Sequence, residues 1–276
     1  MVNKKRRRNI NLGPCVLGGK ELLYILGPCA MESEVFTRRM ARKIKAVCDE
    51  QGIRFVFKAS YDKANRTSVA SYRGMGVQVG CELLAEIGQE LGVPVISDVH
   101  SPEEIAVASS LLDAIQIPAF LCRQTDLILA AAKSGCVVNV KKGQFLAPWD
   151  IKNIAVKLDA GGCKNYFFTE RGTTFGYNNL VADMRSIHWM QELGVQVVFD
   201  ATHSVQRPSG SGDSTGGDGH LAPLLAQAAV ASGCDGVFLE VHENPAKAFS
   251  DGPNQIALRD LPRVLRTLQS LREVVI

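Results

Sequence analysis

Short apolar runs rich in β-branched residues recur along the chain every 20 to 40 residues, and stretches with helical amphipathic spacing separate them. The runs predict strands at 22–28, 54–59, 93–99, 114–118, 137–141, 165–170, 196–201 and 236–241. The intervening patterns predict helices at about 34–51, 77–91, 102–111, 125–134, 150–159, 180–193, 220–232 and 258–273. Strands apolar on both faces suit a parallel sheet covered by helices. Strict alternation of eight strands with eight helices predicts a closed (β/α)8 barrel, because closure leaves no sheet edge. An open doubly wound sheet is the alternative, but no G-x-G-x-x-G turn follows the first strand.

The pattern divides the chain into an extension, residues 1–21, and one catalytic barrel, residues 22–276. Residues 9–20 predict a hairpin capping the barrel bottom, and the Gly/Ser-rich stretch 207–219 predicts a mobile loop after strand 7. With 46% hydrophobic and 21% charged residues, 276 residues suffice for one sizeable core. No window approaches the roughly 18 apolar residues of a membrane helix, and no apolar run follows Lys4–Arg8 as a signal peptide requires. A cytoplasmic enzyme is expected, and its eight cysteines, none in a C-x-x-C pair, read as reduced and mostly buried thiols.

The net charge of +3 owes five positive charges to Lys4, Lys5, Arg6, Arg7 and Arg8, so the body stands at −2. That body lacks the basic excess of a nucleic-acid-binding domain. The run itself reads as a frayed, solvated tail. A non-catalytic barrel that binds RNA through it is the alternative of another class.

Polar residues gather at the C-terminal ends of the predicted strands: Cys29, Lys58, Asp98 and His100, Gln116, Lys141 and Lys142, Glu170 and Arg171, Asp200 and His203, Glu240 and His242. A barrel brings these ends to one rim, where such folds place their chemistry. Lys58, Lys63, Arg66, Lys141, Lys142 and Arg171 on that rim predict an anion pocket held by side chains. Cys29, His203 and Glu240 come from strands that become neighbours on closure, and Asp251 reaches the same corner. One thiolate, one imidazole and two carboxylates suit zinc, iron or manganese. Asp200 and His242 are alternative ligands, and a hydrogen-bonded rim histidine is the plainer role for His203.

Several motifs resemble those of the 3-deoxy-D-manno-octulosonate 8-phosphate synthases: 27–32 (GPCAME), 57–68 (FKASYDKANRTS), 115–126 (IQIPAFLCRQTD), 139–145 (NVKKGQF), 170–177 (ERGTTFGY) and 199–206 (FDATHSVQ). The likeness runs from about residue 22 to the C-terminus. It implies a barrel, usually homotetrameric, that condenses phosphoenolpyruvate with D-arabinose 5-phosphate for the Kdo sugar of lipopolysaccharide. By this resemblance Lys58, Ser60, Gln116, Ala119, Lys141 and Arg171 hold phosphoenolpyruvate. Asn65, Arg66, Thr67, Asp98 and Phe120 hold the sugar phosphate, and Arg123 reaches a neighbouring subunit's site. Lys63 lies between the substrates, to polarise the aldehyde or move a proton; Asp98, His203 and Cys29 complete the implied catalytic set.

The family contains metal-requiring members with Cys in the first ligand position and metal-free members with Asn. Cys29, His203, Glu240 and Asp251 fill the four ligand positions here, which implies a divalent metal. Thr67 replaces the usual Ser, Met75 replaces a frequent His, and Gly252-Pro253-Asn254 resembles the metal-free members. A second Gly-Pro-Cys, ending at Cys15, lacks the following Ala-x-Glu. The nearest rival reading is a 3-deoxy-D-arabino-heptulosonate 7-phosphate synthase, which takes erythrose 4-phosphate. The Lys-Ala-Asn-Arg-Thr-Ser motif at 63–68 argues against it, since that family has a shorter Lys-Pro-Arg-Thr-Ser.

Overall fold

A computed structural model describes residues 7–66, 68–208 and 216–275. All eight predicted strands form: β1 (Leu23–Gly27), β2 (Phe55–Lys58), β3 (Val95–Asp98), β4 (Ala114–Ile117), β5 (Val137–Lys141), β6 (Tyr166–Glu170), β7 (Val197–Asp200) and β8 (Gly236–His242). Each pairs in parallel with the next. The pairing of β8 with β1, Gly236 opposite Leu23 through Glu240 opposite Gly27, closes the barrel. The helices are α1 (Glu34–Glu50), α2 (Val77–Leu91), α3 (Pro102–Ala108), α4 (Thr125–Lys133), α5 (Ile151–Ala160), α6 (Arg185–Glu192), α7 (Ala222–Ala231) and α8 (Leu261–Val275). No described helix is long and apolar enough to cross a membrane.

The starts of these helices follow from local hydrogen bonding. Ser33 caps α1 by accepting the Phe36 N–H, and Ser101 with Pro102 begins α3. The helix predicted from residue 180 instead begins at Arg185. Leu180–Val181 pairs antiparallel with Thr173–Thr174 in a rim ribbon, and the Asp183 carboxylate accepts the Arg185 N–H at 3.0 Å.

The inward positions of the strands form two layers of opposite character. At the bottom Leu23, Ile25, Val56, Ile96, Ala114, Val137, Phe167, Val198 and Phe238 make one apolar cluster. The predicted hairpin plugs it: Ile10–Leu12 pairs with Cys15–Leu17, and Ile10, Leu12, Cys15 and Leu17 join the cluster. Each fully buried aliphatic side chain of this kind contributes roughly 1.5–3 kcal/mol. Two residues further along each strand the side-chain alternation returns to the interior. There the residues are Gly27, Lys58, Asp98, Gln116, Asn139, Thr169, Asp200 and Glu240. The site is built on this polar layer.

The tail corrects one expectation. Arg7 does not fray: its guanidinium donates to Gln196 Oε1 at 3.0 Å and pairs with Asp235 at the barrel bottom. Lys4, Lys5 and Arg6 lie outside the described residues. Of the predicted mobile loop, Gln206–Arg207 pairs with Gly216–Gly217 in a short ribbon, and 209–215 lie outside the described residues. All eight cysteines are free, and only Cys136 is not fully buried.

Candidate active site

The C-terminal rim opens into a cavity of about 1230 Å³ whose wall includes Lys58, Lys63, Asn65, Arg66, Asp98, Ala119, Phe120, Lys141, Arg171, His203 and Asp251. Their convergence is a direct consequence of strand alternation in a closed barrel, because residues distant in sequence end on one rim. Ser60 and Gln116 lie fully buried behind this wall.

At the junction of β1, β7 and β8, ligand atoms of Cys29, Glu240 and Asp251 all lie within 4.8 Å of one another. His203 joins from the β7 side, its Nε2 3.4 Å from Glu240 Oε1 and 3.7 Å from Asp251 Oδ2. The donor set suits a transition metal, and two further observations fit one. Glu240 Oε2 is buried without a hydrogen-bond partner. The Nδ1 of His203 stands 2.7 Å from Asp200 Oδ2, the outer-shell contact that orients a ligating imidazole. Burial, reinforced by Glu240, pushes the Cys29 thiol up to about 12. Burial acts to raise Glu240 as well, but His203, Lys63 and Lys58 hold it down at about 2.

Cations and carboxylates interleave across the polar layer. Lys141 donates to Asp200 Oδ2 at 2.6 Å and lies 3.9 Å from the Phe238 ring centroid. Lys58 donates to Ser60 Oγ at 2.7 Å and stands 3.5 Å from both Asp98 and Glu240. Lys63 reaches the same Ser60 hydroxyl at 3.0 Å. Burial acts against the Asp98 charge, yet Lys58, Lys63 and Lys141 hold its carboxyl well below the usual carboxylate range. Burial likewise opposes the Lys63 ammonium, but the surrounding Cys29, Glu240, Asp98 and Asp251 keep its pKa above that of an ordinary lysine. For Lys141 burial wins over Asp200 and lowers the pKa.

One predicted rim cation falls elsewhere. Lys142 points out of the barrel, donating to the carbonyls of Gly143 and Leu146 and lying 3.5 Å from Glu170, so it is absent from the cavity wall. Arg123 is exposed and does not line this chain's cavity. His242 is turned away from Cys29, Glu240 and Asp251: its Nδ1 accepts the Asn244 N–H, and its Nε2 lies 3.2 Å from Glu32. Thr67 lies outside the described residues.

Other participants come from loops that carry no periodic signal. Gln206 receives the Arg171 guanidinium at 2.5 Å and donates to Asp251 at 2.9 Å, linking Arg171 to the corner of Cys29, Glu240 and Asp251. Ser250 Oγ accepts from Cys29 Sγ at 3.0 Å and from Arg66 at 2.9 Å. Gln206 closes the sixth quoted motif three residues after His203, the one available hint; Ser250 had none beyond adjacency to Asp251.

The profile of the DAHP synthetase I family matches residues 8–276. Curated relatives named 2-dehydro-3-deoxyphosphooctonate aldolase are similar over nearly the whole chain. The protein from Pelobacter propionicus is 54% identical over 269 residues, covering 97% of this chain and 99% of its own. That from Trichlorobacter lovleyi is 53% identical, and that from Geobacter sulfurreducens 52%, with the same coverage.

Proposed function

The chain belongs to the DAHP synthetase I family, and from that premise we propose that it condenses phosphoenolpyruvate with D-arabinose 5-phosphate and water. The products are 3-deoxy-D-manno-octulosonate 8-phosphate and inorganic phosphate. The relatives' name specifies an eight-carbon product; three carbons from phosphoenolpyruvate require a five-carbon acceptor, whereas erythrose 4-phosphate would give seven.

The observation that carries this reading is that one cavity holds two sets of anion-holding groups. Lys58, Lys141 and Arg171 rise from the barrel interior, and Asn65 and Arg66 stand on the β2 loop, with Lys63 between them. The deep set suits the phosphate and carboxylate of phosphoenolpyruvate, backed by Ser60 and Gln116 and bordered by Ala119. The loop set, with Asp98 and Phe120, suits the sugar phosphate; Thr67, outside the described residues, joins it by resemblance alone.

In the reaction, the methylene carbon of phosphoenolpyruvate bonds to the aldehyde carbon, and the aldehyde oxygen takes up a proton. Water adds to the adjacent carbon, and the carbon–oxygen bond to phosphate then breaks. Lys63 stays protonated, so it acts as cation and proton donor at the aldehyde oxygen. Lys58, Lys141 and Arg171 stabilise charge developing on the phosphate and carboxylate. Asp98, held ionised, accepts from a sugar hydroxyl. A divalent zinc, iron or manganese ion held by Cys29, His203, Glu240 and Asp251 would supply fixed positive charge to position water or the aldehyde.

The exposed Arg123 fits a homotetramer in which it reaches a neighbour's cavity, and eight free cysteines fit the reducing cytoplasm. The deciding experiment offers the purified chain phosphoenolpyruvate with either aldehyde and follows phosphate release. Turnover with arabinose 5-phosphate at least a hundredfold above that with erythrose 4-phosphate is expected; preference for the four-carbon sugar overturns the reading.

A further inference from the structure

A buried chain of hydrogen bonds crosses the polar layer beneath the cavity and ends on residues that no substrate can touch. Thr169 Oγ1 donates to Asn139 Oδ1 at 2.8 Å, and Asn139 Nδ2 donates to Gln116 Oε1 at 2.8 Å. Gln116 Nε2 donates to Asp98 Oδ1, whose other oxygen accepts from Ser60 Oγ. Asp98, Gln116 and Asn139 occupy one register across β3, β4 and β5, and Thr169 stands on β6. Gln116, Asn139 and Thr169 have no accessible surface, and only Asp98 of the four lines the cavity.

The direction of this chain is determined at one end. An ionised carboxylate only accepts, so Gln116 must turn its NH2 toward Asp98 and its carbonyl toward Asn139. Asn139 must then turn its NH2 toward Gln116 and its carbonyl toward Thr169, whose hydroxyl supplies the terminal donor. Without that donor, the Asn139 carbonyl is an orphan in a dry interior, and both amides lose their reason to face one way. Stability alone does not require polar groups here, since apolar residues of similar shape fill barrel interiors without loss.

We propose that Thr169 and Asn139 are positioning residues, which lock the Gln116 amide and thereby hold the Asp98 carboxylate in its productive orientation toward the sugar. The inference rests on the reading of Asp98 as a sugar contact. Packing alone would need only the shape of Thr169; positioning needs its hydroxyl.

The test compares Thr169→Val, which keeps the shape and removes the donor, with Thr169→Ser, which keeps the donor. Wild-type condensation of phosphoenolpyruvate with arabinose 5-phosphate is measured first, so failure of the functional reading shows there. Thr169→Val is expected to raise the KM for arabinose 5-phosphate about tenfold, whereas Thr169→Ser stays within twofold of wild type. A loss of folded enzyme lowers the apparent kcat but leaves KM in place, which separates positioning from structural damage. If Thr169→Val does not fold, Thr169→Ala is read by the same criteria. A KM within twofold of wild type in the donorless variant overturns the proposal, as does an equal shift in Thr169→Ser.

Discussion

Asp200 Oδ2 stands 2.7 Å from His203 Nδ1 and receives the Lys141 ammonium at 2.6 Å. Burial acts to raise the Asp200 pKa, but His203, Lys141 and Arg171 hold it far below the usual range, so it accepts and never donates. The histidine must therefore carry its proton on Nδ1 and present Nε2 to Glu240 and Asp251. Asp200→Asn removes that constraint and leaves Lys141 without its anion. Metal affinity, measured by competition with a chelator, should fall about 10–100-fold, as outer-shell changes at metal sites do. Affinity equal to wild type would show that the contact does not orient a ligand.

Metal loading should release a proton. With its thiol pushed up to about 12 by burial, Cys29 is protonated at neutral pH and must ionise to bind. Apparent metal affinity should therefore fall as pH is lowered, by about tenfold per unit near neutrality for one proton displaced. Chelation should abolish turnover, and Cys29→Asn should retain turnover in the chelated protein if the ion mainly positions groups. Calorimetric titration in buffers of different ionisation heat reads the proton directly; no release would remove Cys29 from the ligand set.

Much of this site is legible from strand ends alone, because barrel closure converts eight sequence positions into one rim. The finer assignment follows alternation: Lys141 and Arg171 face inward with Asn139 and Thr169, so Lys142 and Glu170 face out, where they pair at 3.5 Å. Counting Lys142 among the rim cations neglects that period of two. Periodicity does not reach Gln206, whose one signal is its motif neighbour His203, or Ser250, since loop conformation brings them to Arg171, Asp251 and Cys29. The docking of Arg7 was equally hidden, because it depends on Asp235 and Gln196, more than 180 residues away.

Gly27 sets the approach of β1 to β2. A Cβ there would overlap the Lys58 carbonyl oxygen, a backbone atom that cannot move aside without parting the strands. Gly27→Ala should destabilise the barrel by about 3 kcal/mol, at the upper end for overpacking in a dense core. Because Cys29 and Lys58 sit on these two segments, the variant should also lose metal affinity. Thermal denaturation with chelator competition checks both; an unshifted melting temperature would mean that the strands separate freely.

Outside the polar layer, Glu104 ties α3 to the β2 and β3 loops. Its Oε2 accepts from Tyr61 Oη at 2.8 Å and from the His100 N–H at 2.7 Å, and it lies 2.9 Å from His100 Nδ1. Burial pushes its pKa up, but the bonds from His100 and Tyr61 outweigh that and lower it below 4.5. A carboxyl whose folded-state pKa is depressed contributes stability that is present above its unfolded value and lost as pH falls through the folded one. Glu104→Gln removes the charge at every pH. At pH 7 the variant should melt about 2 °C below wild type, the effect of roughly 1 kcal/mol in a domain of this size. As pH drops below 4.5 the gap should close, because the wild-type carboxyl becomes protonated and resembles the amide. Melting curves of both proteins from pH 7 to pH 3 measure this; a gap that stays constant across the range would show that the Glu104 charge contributes nothing.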